Sequence, residues 1–130
     1  MNRSSVPSMK PDRKATSCDH DARPLRMAAP AVIERAAALL KAVGDPGRLR
    51  LLERLARGGE HCVSELAESE NEGMSTVSQR LRLLRAEHLV SRRREGKHVY
   101  YALSDTHVRE LIYAALDHAA EQAAEEGDDR

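Results

Sequence analysis

The chain contains no tryptophan and no phenylalanine, and Tyr100, Tyr101 and Tyr113 are its only aromatic residues. Its core must therefore be aliphatic, mostly Leu, Val and Ala, which suits packed helices better than a β-sandwich. Cysteine is scarce as well: Cys18 and Cys62 form at most one bridge, which excludes a disulfide scaffold. The longest apolar stretches, such as Ala36–Leu40, fall far short of the roughly 20 residues of a membrane span. Arg3, Lys10, Arg13 and Lys14 mark the first thirty residues, but no apolar h-region follows them. No secretory signal is expected, and free thiols in a reducing cytoplasm are the default. There is no His-Glu-x-x-His pairing, Gly-rich phosphate loop or nucleophile elbow, so a metallohydrolase is disfavoured and no enzyme is expected.

Net charge is also lacking, since 21 basic residues balance 21 acidic ones. The distribution is uneven, however. Between Ser75 and His98 seven Lys and Arg residues face only Glu87 and Glu95, while from Asp105 onward eight acids face two bases. A locally basic surface attracts phosphate whatever the total charge, so nucleic acid stays in view.

At 130 residues the chain suits one domain of modest core. Residues 1–28 lack apolar periodicity and read as a flexible arm, 29–124 as the folded domain, and 125–130 as a polar tail. The spacing predicts a helix over Ala31–Val43. A second starts at the Asp45-Pro46 cap, carries Leu49, Leu52 and Leu55, and stops at Gly58-Gly59. A short helix from about Cys62 or Val63 to Glu68 and a polar turn follow. Ser75 then caps a helix to about His88 with Val77, Leu81 and Leu84 on one stripe. Leu89–Arg94 and His98–Leu103 read as a hairpin, with Gly96 supplying a positive φ. A last helix runs from Asp105, or Ser104 beside it, to about Gln122. The fold class is mainly α with a small β-hairpin, a winged helix-turn-helix.

Two groups of residues carry chemistry. On the fourth helix, the face away from the apolar stripe holds Thr76, Gln79, Arg80 and Arg82. Gln pairs with adenine edges and Arg with guanine, while Ser75, Thr76 and Ser78 offer hydroxyls to phosphate or base edges. Arg92, Arg93, Arg94 and Lys97 on the hairpin are placed to clamp phosphates or a minor groove. On the last helix, Asp105 and His107 form one donor pair and His118 and Glu121 another. Eleven residues separate the histidines, close to three full turns, so both pairs share a face about 16 Å apart. Zinc–ligand bonds of about 2.0–2.2 Å cannot span that gap within one helix, whereas two antiparallel copies close the set across a dimer.

The stretches "LKAVGDPGRLRLLERL", "CVSELAE", "MSTVSQRLRLLRAEHLV" and "RRREGKHVYYALSD" resemble the ArsR/SmtB family of metal-responsive repressors over roughly Ala31 to Glu121. The resemblance implies a homodimer joined through its first and last helices, bound to an inverted-repeat DNA operator. It implies release when zinc, or cobalt, cadmium or lead, binds at Asp105, His107, His118 and Glu121. It also implies a second site, in which Cys18 and His20 of the arm reach across to Cys62 and Glu65 of the other copy. Here the chain departs from the family pattern: Ser64 stands where cadmium/lead sensors have a second Cys, and Glu65 where zinc-type relatives usually have Asp. His61, adjacent to Cys62, is a substitute ligand by type but at helical spacing points away from that pair, and His88 and His98 read as surface or DNA-side residues. Two alternatives share the fold, a thiol redox sensor using Cys18 and Cys62 and a regulator that needs no metal.

Overall fold

A computed structural model describes residues 26–128. In order these form α1 (Pro30–Val43), α2 (Pro46–Arg57), β1 (His61–Cys62), α3 (Val63–Glu70), α4 (Met74–Ala86), β2 (Val90–Glu95), β3 (His98–Leu103) and α5 (Thr106–Asp128). The strands make one antiparallel sheet in the order β1-β3-β2. This is a winged helix-turn-helix: α3 and α4 are the helix pair, and β2 and β3 the wing.

Local chemistry sets the boundaries. Asp45 caps α2 by accepting the Arg48 N–H at 3.0 Å, with Pro46 in the first turn where its missing N–H costs nothing. That hydrogen bond, with the charges of Arg48 and Arg80 behind it, holds the Asp45 carboxyl below its usual pKa. The Arg48 side chain turns back to the Ala42 carbonyl at 2.7 Å, satisfying the end of α1 and fixing its angle to α2. Helices α3 and α4 both end in a left-handed residue, Asn71 (φ 54°) and His88 (φ 60°). In each, two backbone N–H groups fold back onto the last turn, Glu72 to Ala67 and Asn71 to Glu68, then Leu89 to Leu84 and His88 to Arg85. Gly96, at φ 62°, turns the wing as its position in the hairpin predicts.

The core is aliphatic. Leu51, Leu52, Leu55, Leu66, Val77, Leu81, Leu84, Leu89 and Ile112 are fully buried, and Tyr101 is the only aromatic that joins them, at 7% exposure. The stripe on α4 is the one its spacing predicts. On α2 the fully buried leucines are Leu51, Leu52 and Leu55, and Leu49 only flanks them. A stripe at spacing three drifts off the 3.6-residue period, which moves Leu49 to the rim.

Three boundaries differ from the sequence expectation. Gly73, not Ser75, stands at the cap of α4, which leaves Ser75 exposed in the first turn. His61 and Cys62 add a third strand, too short for an alternating pattern to reveal. Residues 125–128, expected as polar tail, continue α5 to Asp128, because the Ala/Glu-rich run 119–126 propagates helix into them without needing a buried face. No described helix is long and apolar enough to cross a membrane.

Two surfaces are left without cover in the single chain. On α1 only Ala42 and Val43 are buried, while Val32, Ile33 and Leu40 are 57, 55 and 53% exposed. On α5, Val108 and Ile112 anchor the helix to the core, and residues 117–127 are all exposed.

Candidate metal centre and nucleic-acid interface

With Val77, Leu81 and Leu84 turned inward, the helical period carries Ser75, Gln79 and Arg82 to the outer face of α4, and all three are exposed. Thr76 and Ser78 flank that face, Ser78 half-buried and Thr76 at its edge. Arg80 is different. Its guanidinium lies over buried Gly47, where a Cβ would come within 2.6 Å of Cζ, and its Nη1 is 3.5 Å from Glu72. Only glycine at position 47 admits this arrangement, and it packs Arg80 between α2 and α4 rather than aiming it outward.

The wing cations divide in the same manner. Arg92, Arg94 and Lys97 are exposed and have no ion pair among the described residues. Arg93 is held on three sides. Glu60 accepts from its Nε at 2.9 Å and its Nη2 at 2.8 Å, and Glu95 accepts from Nη1 at 2.7 Å. The Tyr100 ring lies beneath it, 5.0 Å from Cζ to centroid. These carboxylates raise the Arg93 pKa, and in return Arg93 holds Glu60 below the usual carboxylate range. Neither Glu60 nor Glu72 carries a signal in the sequence, because their partners meet them only through the sheet register and the α3–α4 turn.

At the start of α5, Asp105 Oδ1 accepts the Val108 N–H at 3.0 Å and is 3.9 Å from His107 Nδ1. Asp105 is thus both helix cap and donor, and it and His107 are exposed beside a groove of about 700 Å³ shared with Glu34, Glu87 and His88. His118 and Glu121 lie on the same unbroken helix and are also exposed. Among the described residues no three His, Cys, Asp or Glu side chains converge on one point within the chain. The donors suit zinc in kind, two imidazoles and two carboxylates, but each pair along α5 offers only half of a tetrahedral set.

The second set lies partly outside the described residues, which do not include Cys18 and His20. Cys62 stands at the cap of α3, its N–H donated to Glu65 Oε1 at 3.0 Å and its Sγ 3.2 Å from Ser64 Oγ. The Cys62 N–H holds Glu65 below its usual pKa. His61 does not point away. It lies on β1 rather than on a helix, and its Nδ1 is 3.7 Å from Glu65 Oε1 while its Nε2 is buried without a hydrogen-bond partner among the described residues.

The profile described as "Bacterial regulatory protein, arsR family" matches residues 45–92, from the α2 cap into the wing. The chain is 38% identical over 124 residues to a transcriptional repressor SmtB homolog of Synechocystis sp., covering 83% of this chain and 93% of that one. It is 38% identical over 88 residues to a homolog of the cadmium resistance transcriptional regulatory protein CadC of Staphylococcus aureus, 68% of this chain and 73% of that one. In three dimensions it is similar to the homodimeric winged helix-turn-helix DNA-binding domain of a possible ArsR-family regulator from Mycobacterium bovis. The TM-score is 0.66 at 30% identity, covering 83% of this chain and 92% of that one. With the helix pair, the basic wing and the donor-bearing last helix in place, the chain belongs to the ArsR/SmtB family of metal-responsive repressors, DNA-binding regulators and not enzymes.

Proposed function

We propose that the protein is a homodimer that holds an inverted-repeat operator and releases it when a divalent ion, zinc foremost, bridges two copies of α5. Cobalt, cadmium and lead are the alternative inducers. The observation that carries the reading is the pair of exposed half-sites, Asp105 with His107 at the start of α5 and His118 with Glu121 about 16 Å further along the same continuous helix. Antiparallel packing of two such helices sets each half-site against the other half-site of the second copy. The exposed apolar residues of α1 support the same pairing, since burying them yields about 25 cal/mol per Å². Two-fold symmetry then places two α4 helices in successive major grooves, with Ser75, Thr76, Ser78, Gln79 and Arg82 nearest the bases and Arg92, Arg94 and Lys97 on phosphates.

The metal acts by linkage. An ion that fits the dimer geometry unsuited to DNA weakens operator binding by the ratio of its affinities for the two geometries. A hundredfold loss corresponds to about 2.7 kcal/mol, small beside the roughly 10 kcal/mol or more available from a zinc site. The regulated gene in this reading removes or sequesters the metal. Cys62 and Glu65, with Cys18 and His20 of the second copy, form a further thiolate-containing site suited to softer ions.

Anisotropy of a labelled duplex, enriched from a random library by the metal-free protein, tests the main reading. Zinc is expected to weaken binding about a hundredfold. His107→Ala is expected to keep the metal-free affinity and lose the response. Unchanged affinity under saturating zinc would sink the proposal, and a response that disappears in Cys62→Ser but survives in His107→Ala would move it to the thiolate site.

A further inference from the structure

The wing has a weak attachment. Its outer strand β2 is a sheet edge with five of six residues exposed, and only Val90 is buried. At the opposite edge β1 is two residues long. A sheet held at one edge by so short a strand and exposed at the other twists easily, and twist at β2 moves Arg92, Arg94 and Lys97 relative to α4.

Arg93 crosses this sheet. Tyr100 pairs with Arg93 on one side and with Cys62 on the other, so Arg93, Tyr100 and Cys62 form one row over the three strands. Alternation puts Arg93 on the face opposite Arg92 and Arg94. From there its guanidinium passes over the Tyr100 ring and reaches Glu60, which enters β1 two residues before Cys62, in a two-pronged contact at 2.8 and 2.9 Å. Glu95 holds the remaining prong from within β2. The fork geometry fixes orientation as well as distance, which a lysine ammonium does not do.

We propose that Arg93 is a positioning residue: fastened to Glu60 over Tyr100, it ties one edge of the sheet to the other and sets the wing at the angle DNA requires, while contacting no phosphate itself. The phosphate contacts are then made by Arg92, Arg94 and Lys97. The proposal rests on the family's DNA binding and not on the metal reading, and binding of the wild-type dimer to its selected duplex checks that footing separately.

The salt dependence of DNA affinity distinguishes positioning from direct phosphate binding. Removing one cation that sits on a phosphate lowers the slope of log affinity against log salt by about 0.9. In a homodimer each substitution removes two such cations, so Arg92→Gln and Lys97→Gln are each expected to flatten the slope by about 1.8. Arg93→Gln is expected to weaken binding severalfold at an unchanged slope, Glu60→Gln to weaken it by a similar factor, and the double variant to be no weaker than either single one. Arg93→Lys should not rescue, because it cannot make the fork. The exchanged pair, Glu60→Arg with Arg93→Glu, made in a Glu95→Gln background so that no like charge faces position 93, should recover affinity towards the wild type. A flatter slope in Arg93→Gln, or tighter binding in Glu60→Gln, would show that Arg93 binds phosphate and that Glu60 competes for it, and would overturn the proposal. So would an exchanged pair that melts like the wild type and still binds weakly.

Discussion

The residues that decide most here are those whose conformation or partner departs from the ordinary. His88 ends α4 in the left-handed region, at φ 60°, where a Cβ costs about 1–2 kcal/mol and glycine is the usual occupant. Its ring is exposed, so little packing offsets that cost. His88→Gly is expected to stabilise the fold by about 1 kcal/mol in urea unfolding, and to leave the metal response in place because His88 is not one of the four donors. A destabilised His88→Gly protein would mean the imidazole holds the turn through a contact that outweighs its strain. Sequence periodicity marked Val77, Leu81 and Leu84 as core because burial follows the helical period. It gave no warning that Arg80 and Arg93 are held by Glu72 and Glu60. A charge run looks alike whether its members face water or one another, and only the fold brings residues 33 positions apart to 2.8 Å.

Among the elements, α3 ties stability to pH. Glu65 accepts the Cys62 N–H and its carboxyl is held below the usual value of 4.5. A group whose folded pKa is depressed contributes stability above its unfolded pKa and loses it as pH falls through the folded value. The start of α3 is therefore expected to loosen on acidification from just above pH 4.5 downward, read as faster amide exchange at Cys62. Glu65→Gln should show no such acid step in that region. The same carboxylate is a candidate ligand, so a metal at Cys62 and Glu65 competes with the cap. Element type was legible from the Asp45-Pro46 start of α2 to the Gly96 turn of the wing, except at β1, whose two residues are too few to show an alternating pattern. Ends were less so: α5 runs past Gln122 because alanine and glutamate extend a helix that nothing needs to bury.

For the whole molecule, linkage makes the metal and DNA readings one measurement. If zinc lowers DNA affinity by a given factor, DNA must lower zinc affinity by the same factor. Chelator competition for zinc, with and without saturating duplex, is expected to return the ratio found from the DNA titrations, and Glu121→Gln is expected to shrink both ratios together. Unequal ratios would mean that the two ligands act on different species, such as monomer and dimer. The proposed dimer is the scale at which the donor pairs complete one another, since among the described residues neither half-site closes a tetrahedron within one chain.

By itself the sequence determined the aliphatic helical core, the helix pair with its wing, and the spacing of Asp105, His107, His118 and Glu121. These follow from local propensity and from the period at which side chains repeat, which neighbours in sequence encode. The tertiary structure decided which charges remain available. It packed Arg80 over Gly47, strapped Arg93 across Tyr100 to Glu60, turned His61 towards Glu65, and left Arg92, Arg94 and Lys97 exposed. The physical reason is that a guanidinium is satisfied by whichever carboxylate the fold brings near it, and that nearness depends on strand register and helix packing rather than on distance along the chain.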